Sequence, residues 1–148
     1  MRNINKMGIA AVMAAAAFLI VPATSAYAST PTCTGVANIG NVYMPVSAGN
    51  NVNCDMAEGD DSTPVGILQD SMDLCYGSGS GEHRVTNLGF NIATDGEFGP
   101  ATKAALKKVQ AYFHISADGE YGPQTAASIK FYLNQGSGTQ GCVYGPTH

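Results

Sequence analysis

The sequence predicts a mainly α fold, a small three-helix bundle carrying an irregular, disulfide-stapled N-terminal arm. Three observations predict it. Residues 95–102 (DGEFGPAT) and 118–125 (DGEYGPQT) are near-copies offset by 23 positions, and each reads as a tight turn running into a helix start. A separate amphipathic stretch from Val65 to Cys75 precedes them. Helices this short are marginal alone in water and must bury their apolar stripes against one another.

In chain order, residues 1–28 read as a secretory signal peptide. Arg2 and Lys6 form a positive start, residues 8–21 are apolar, Pro22 ends the run, and Ala26-Tyr27-Ala28 supplies small residues for cleavage before Ser29. The apolar run is short for a span of about 20 residues, which argues against a retained anchor. Cleavage would remove both of those cations. It would leave five basic residues against eleven acidic ones, a net charge of −6 with histidine neutral. So acidic a chain is poorly suited to nucleic acid, and no later segment is apolar enough for a membrane.

Four cysteines remain, Cys33, Cys54, Cys75 and Cys142. An even number in an exported chain points to two disulfides, with three pairings open. Cys33–Cys54 with Cys75–Cys142 is the favoured pairing. The first bridge closes the arm on itself, and the second ties the end of the first helix to the tail. Each bridge would contribute about 2–4 kcal/mol by restricting the unfolded chain. The competing use is zinc, with His83, His114 or His148. No C-x-x-C or H-x-x-x-H spacing is present, so neither a metal nor another cofactor is expected.

Residues 29–62, rich in Gly, Asn, Ser and Thr, form the arm. Within it Val42–Val46 could be a short strand, with Pro45 marking it as an edge or irregular piece. The first helix spans roughly 64–76, with Thr63 as cap, Pro64 at the first position, and Val65, Leu68, Met72 and Cys75 on one face. Residues 77–87 (GSGSGEHRVTN) are a flexible connection. Asp95-Gly96 then turns, Phe98 plugs the core, and Pro100 opens a second helix over 100–113. Ala105, Leu106, Val109, Tyr112 and Phe113 share its inner face, and Lys103 and Lys107 lie on a more polar one. Asp118-Gly119, Tyr121 and Pro123 repeat the device. They launch a third helix whose stripe is Ala126, Ile129, Tyr132 and Leu133, ended by Gly136. The bundle domain is therefore 63–136, followed by a Gly-rich tail over 137–148. It requires residues 100–113 and 123–133 to be helical.

From Val65 to about Leu133 the chain resembles the peptidoglycan-binding domain-like family, a three-helix module appended to many bacterial cell-wall hydrolases. The motifs carrying the resemblance are Leu68-Gln69, Leu88-Gly89-Phe90, Val109-Gln110 and the two complete DGxxGPxT runs. The chain departs from the family pattern in its longer connection after the first helix. It also has Val109-Gln110 in place of an aromatic-Gln pair, and His114-Ile115 where Gly-Leu is common. The resemblance implies attachment to bacterial peptidoglycan or a cell-wall glycopeptide by a secreted, wall-associated protein.

Peptidoglycan offers peptide amides, sugar hydroxyls and carboxylates, so side-chain amides, an aromatic face and positive charge are the candidate contacts. These are Gln69, Gln110, Tyr112, Lys103 and Lys107, with Arg84 as a possible carboxylate clamp. Each has a plainer use. The glutamines could satisfy nearby backbone groups, and the lysines could form a solvated face. Asp95-Gly96-Glu97 lacks the remainder of a calcium loop and reads as structural. No catalytic constellation is present: there is no G-x-S-x-G, no H-E-x-x-H, and no paired histidine near a nucleophilic cysteine. The expected function is non-catalytic wall binding. The alternative is a secreted inhibitor or regulator of a cell-wall hydrolase that reuses the same bundle.

Overall fold

The structure, a computed structural model, describes residues 29–79, 84–135 and 139–145. The expected signal peptide, His83, His148 and the Gly136 helix stop lie outside these residues. Among the described residues the chain forms three helices and one four-stranded antiparallel sheet. The mainly α three-helix bundle is therefore overturned.

The sheet has the order β1-β2-β3-β4. Strands β1 (Gly35–Ile39) and β2 (Val42–Val46) form a hairpin from within the expected arm. Its two-residue loop, Gly40-Asn41, has φ of 62° and 68°, the left-handed pair that matches strand twist in a tight hairpin. β2 meets β3 (Lys130–Gln135) at the register pair Val42↔Leu133. Pro45 lies beyond that pair, so its missing N–H costs no ladder bond on the β3 side. β3 pairs along its length with β4 (Thr139–Tyr144), inside the expected Gly-rich tail.

Helix α1 (Thr63–Tyr76) packs on the sheet with the foreseen stripe of Val65, Leu68, Met72 and Cys75 buried. Its cap is Ser62, not Thr63, and makes no side-chain capping bond. Helix α2 (Pro100–Tyr112) packs on α1 and ends one residue before the expected boundary. The third helix departs most from expectation. Helix α3 covers only Pro123–Ser128, and the chain then extends into β3, so residues 130–133 are strand.

The reason lies in two competing periods. Ala126, Ile129, Tyr132 and Leu133 fit a helical stripe. Ile129, Phe131 and Leu133, however, also alternate as buried residues, with Lys130 and Tyr132 only half-buried between them. Extension wins because the strand finds partners on both sides. The hydroxyl of Tyr76, at the end of α1, also accepts from the Lys130 amide at 2.6 Å and donates to the Lys130 carbonyl at 3.0 Å. Burial pushes the Tyr76 phenol pKa up despite those bonds, which keeps it a neutral donor.

Cys33 is bonded to Cys54 and Cys75 to Cys142, so the second bridge fastens α1 to β4. The segment leading from the hairpin to α1 runs beside both Asp-Gly corners. Met56 and Tyr121 exchange backbone bonds of 2.9 and 2.8 Å. The Phe98 amide donates to Asp60 at 2.7 Å, and the Ser62 amide donates to Gly96 at 2.9 Å. Phe98 and Tyr121 are both fully buried plugs.

Candidate functional site

Each Asp-Gly corner is held by one buried glutamine from the preceding helix. Gln69 on α1 is 1% exposed. Its Nε2 donates to Asp95 Oδ1 and the Glu97 carbonyl at 2.9 Å and to Thr102 Oγ1 at 3.0 Å, while its Oε1 accepts from the Gly96 amide at 2.9 Å. Gln110 on α2 repeats the arrangement. Its Nε2 reaches Asp118 Oδ1 and the Glu120 carbonyl at 2.9 Å and Thr125 Oγ1 at 3.1 Å, and its Oε1 accepts from the Gly119 amide at 2.8 Å. The duplicated corner is thus a duplicated clamp.

The residue types follow from the geometry. Gly96 and Gly119 have φ of 81° and 75°, where a β-carbon is strained. Asp95 and Asp118 each accept from the amide two residues on, at 3.0 and 2.9 Å. A glutamine amide both donates and accepts, whereas an ionised Glu only accepts and a Lys only donates, so neither could replace either glutamine. The Gln69 side chain, with the Glu97 amide, holds the Asp95 carboxyl below the usual carboxylate range. Partial burial pushes Asp118 up. The Glu120 amide, Gln110 and Ser116 together outweigh it, so Asp118 is also lowered. The plainer use of Gln69 and Gln110 therefore occupies all their polar atoms.

The remaining candidates are scattered. Lys103 forms an ion pair with Glu58 at 3.0 Å, exposed enough to add little stability. The stems of Lys103 and Lys107 lie over the Gly119 corner. Arg84 folds back and donates through Nη1 to the Gly77 carbonyl. Tyr112 is 43% exposed and stands edge-on to Phe113, which also meets Tyr76 and Tyr144. Lys130 Nζ lies 5.0 Å from the Tyr144 ring. Tyr112 therefore belongs to an aromatic corner built around Phe113.

A groove of about 600 Å³ opens at the first corner, a feature the sequence reading did not identify. Asp61, Ser62 and Thr63 form one wall, Gly66, Ile67 and Asp70 of α1 another, and Thr94, Asp95 and Gly96 the third. Burial, then the charge of Asp73, pushes the Asp70 pKa up. Among the described residues, no three His, Cys, Asp or Glu side chains converge as they would around a metal ion. None of the described helices is long and apolar enough to cross a membrane.

Residues 82–129, about a third of the chain, match the family described as a peptidoglycan binding domain. The matched segment contains both corners, α2 and α3, and it is the family that the two DGxxGPxT runs resemble. The match supports peptidoglycan binding in general terms, and the two disulfides fit an extracellular or wall-associated location. No curated protein matches the chain.

Proposed function

We propose that the chain is a secreted, non-catalytic module that attaches to the peptidoglycan of a bacterial cell wall. The observation that carries this reading is the pair of glutamine clamps at the corners of the family-matched segment. Together they hold both corners through hydrogen bonds that use every polar atom of the two side-chain amides.

On this reading Gln69 and Gln110 act through the scaffold and do not touch the ligand. The groove beside Gly96 is the principal ligand face. Lys107 and Tyr112 are exposed on α2 and could contribute a second, weaker patch. The unit is residues 63–136 together with the hairpin segment that braces it, after removal of residues 1–28.

Cosedimentation tests the proposal. Residues 29–148 are mixed with insoluble purified peptidoglycan over a range of salt and pH, and the pelleted fraction is measured. Saturable pelleting without loss of wall turbidity is the expected outcome. Absence of pelleting under every condition rejects wall attachment and favours a hydrolase-directed partner. Clearing of the suspension rejects the non-catalytic part.

A further inference from the structure

The two clamps share their hydrogen bonds but differ in what covers them. At the second corner, a β-carbon on Gly119 would meet Lys103 Cγ at 2.7 Å and the Cγ and Cε of Lys107 at 3.0 Å. Two lysine stems lie across that corner, as alkyl chains commonly cover apolar surface while their charge reaches water. At the first corner, the positions equivalent to Lys103 and Lys107 are Ser62 and Gly66, each 41 residues earlier, the same offset that relates Gln69 to Gln110. A β-carbon on Gly66 would meet Gly96 Cα at 3.8 Å, an ordinary contact. A β-carbon on Gly96 would meet the Ser62 carbonyl oxygen at 3.2 Å, so backbone covers the side that the Lys103 stem covers at the second corner; the equivalent of the Lys107 stem is missing, and the groove is the space left.

The surroundings of that space are complementary to what is missing. Ile67 and the two glycine α-carbons offer an apolar floor. Asp61, Asp70 and Asp95 carry carboxylates along its walls. Carboxylates around an apolar floor suit an organic cation on an aliphatic arm, whose stem lies on the floor while its charge reaches the walls.

We infer that the groove beside Gly96 receives the amino-terminated aliphatic side chain of a diamino acid in a wall peptide, seated as the Lys107 stem is seated on Gly119. The inference rests on the wall-binding reading given above. The methylenes lie on Gly66, Gly96 and Ile67, and the ammonium is held by the groove carboxylates, Asp70 foremost. Asp70 follows Gly66 by one helical turn and so faces the same groove.

Two measurements test it on residues 29–148. The first follows amide NMR shifts during titration with acetyl-Ala-Lys-Ala-amide, and with the same peptide acetylated on the lysine amine. Shifts centred on Gly66, Asp70 and Gly96 are expected for the free amine. They should be absent for the acetylated peptide and lost in Gly66→Lys, whose own side chain fills the groove. Gly66→Lys replaces a helical glycine with a better helix former, so it should melt no lower than the parent. A loss of binding therefore cannot be put down to misfolding. Equal shifts with both peptides, or none with either, overturn the inference. The second measurement is cosedimentation with walls whose amines have been acetylated, where the affinity read from the pelleting curve should fall about tenfold, equivalent to about 1.4 kcal/mol. Undiminished pelleting on acetylated walls overturns the groove while leaving wall attachment intact. Lysine-dependent shifts without any pelleting uphold the groove and reject the wall.

Discussion

At the scale of single residues, the clamp glutamines are the side chains on which most local order depends. Gln110 satisfies the buried Gly119 amide and three acceptors at once. Gln110→Ala should cost roughly 1–3 kcal/mol, because it leaves a buried donor without a partner. Denaturant unfolding checks this, and a change below about 0.5 kcal/mol would contradict the clamp. Tyr121 behaves in the opposite way. Its hydroxyl is buried and has no hydrogen-bond partner among the described residues, and burial pushes its pKa up. Phe98 fills the equivalent position of the first copy without a hydroxyl. Tyr121→Phe should therefore raise the melting temperature or leave it unchanged, and a clear fall would reveal a partner for that hydroxyl. The corner aspartates set the acid limit. Both have folded pKa values below the usual carboxylate range, so the folded state binds fewer protons than the unfolded chain near that range. Their contribution is present above about pH 4 and is lost as pH falls through the lowered folded values. An acid-unfolding titration should show stability declining below about pH 4, and a flat profile there would contradict the assignment.

At the scale of elements, legibility in the sequence followed the strength of local signals. The corners, α1 and α2 were readable because Gly, Pro and Asp at fixed spacing specify one backbone path. The sheet was less readable. The Gly40-Asn41 dipeptide between GVANI and VYMPV was a usable hairpin signal, but the polar composition of the arm obscured it. Lys130–Gln135 satisfied both helical and extended periods, and only its distant partners β2 and β4 decide between them. Residues 139–144 (TQGCVY) carry a glycine and no alternating apolar pattern, so their strand depends on pairing with β3 and on the Cys142 bridge. That bridge joins residues 67 apart and fixes the outer strand to α1. Replacing Cys75 and Cys142 by serine should cost about 2–5 kcal/mol. Thermal unfolding of the double variant measures it, and an unchanged midpoint would show that the β3–β4 pairing holds without the bridge.

At the scale of the whole molecule, the hairpin, the helices and the two bridges form a support for the corners. The segment from Met56 to Ser62 pairs with both corners, so the expected arm braces the face where the groove opens. The candidate site was only partly legible for this reason. Gln69 and Gln110 stood out in the sequence, but their burial could not be read from spacing. The groove arises from Gly66 meeting Gly96 across two elements, a contact that no local pattern encodes. The most direct measurement is amide NMR mapping of residues 29–148 titrated with soluble peptide-bearing fragments of peptidoglycan. Wall attachment through the first corner predicts saturable shifts centred on Gly66, Asp70 and Gly96. Shifts confined to the aromatic corner at Tyr112 and Tyr144, or no shifts at all, would contradict it.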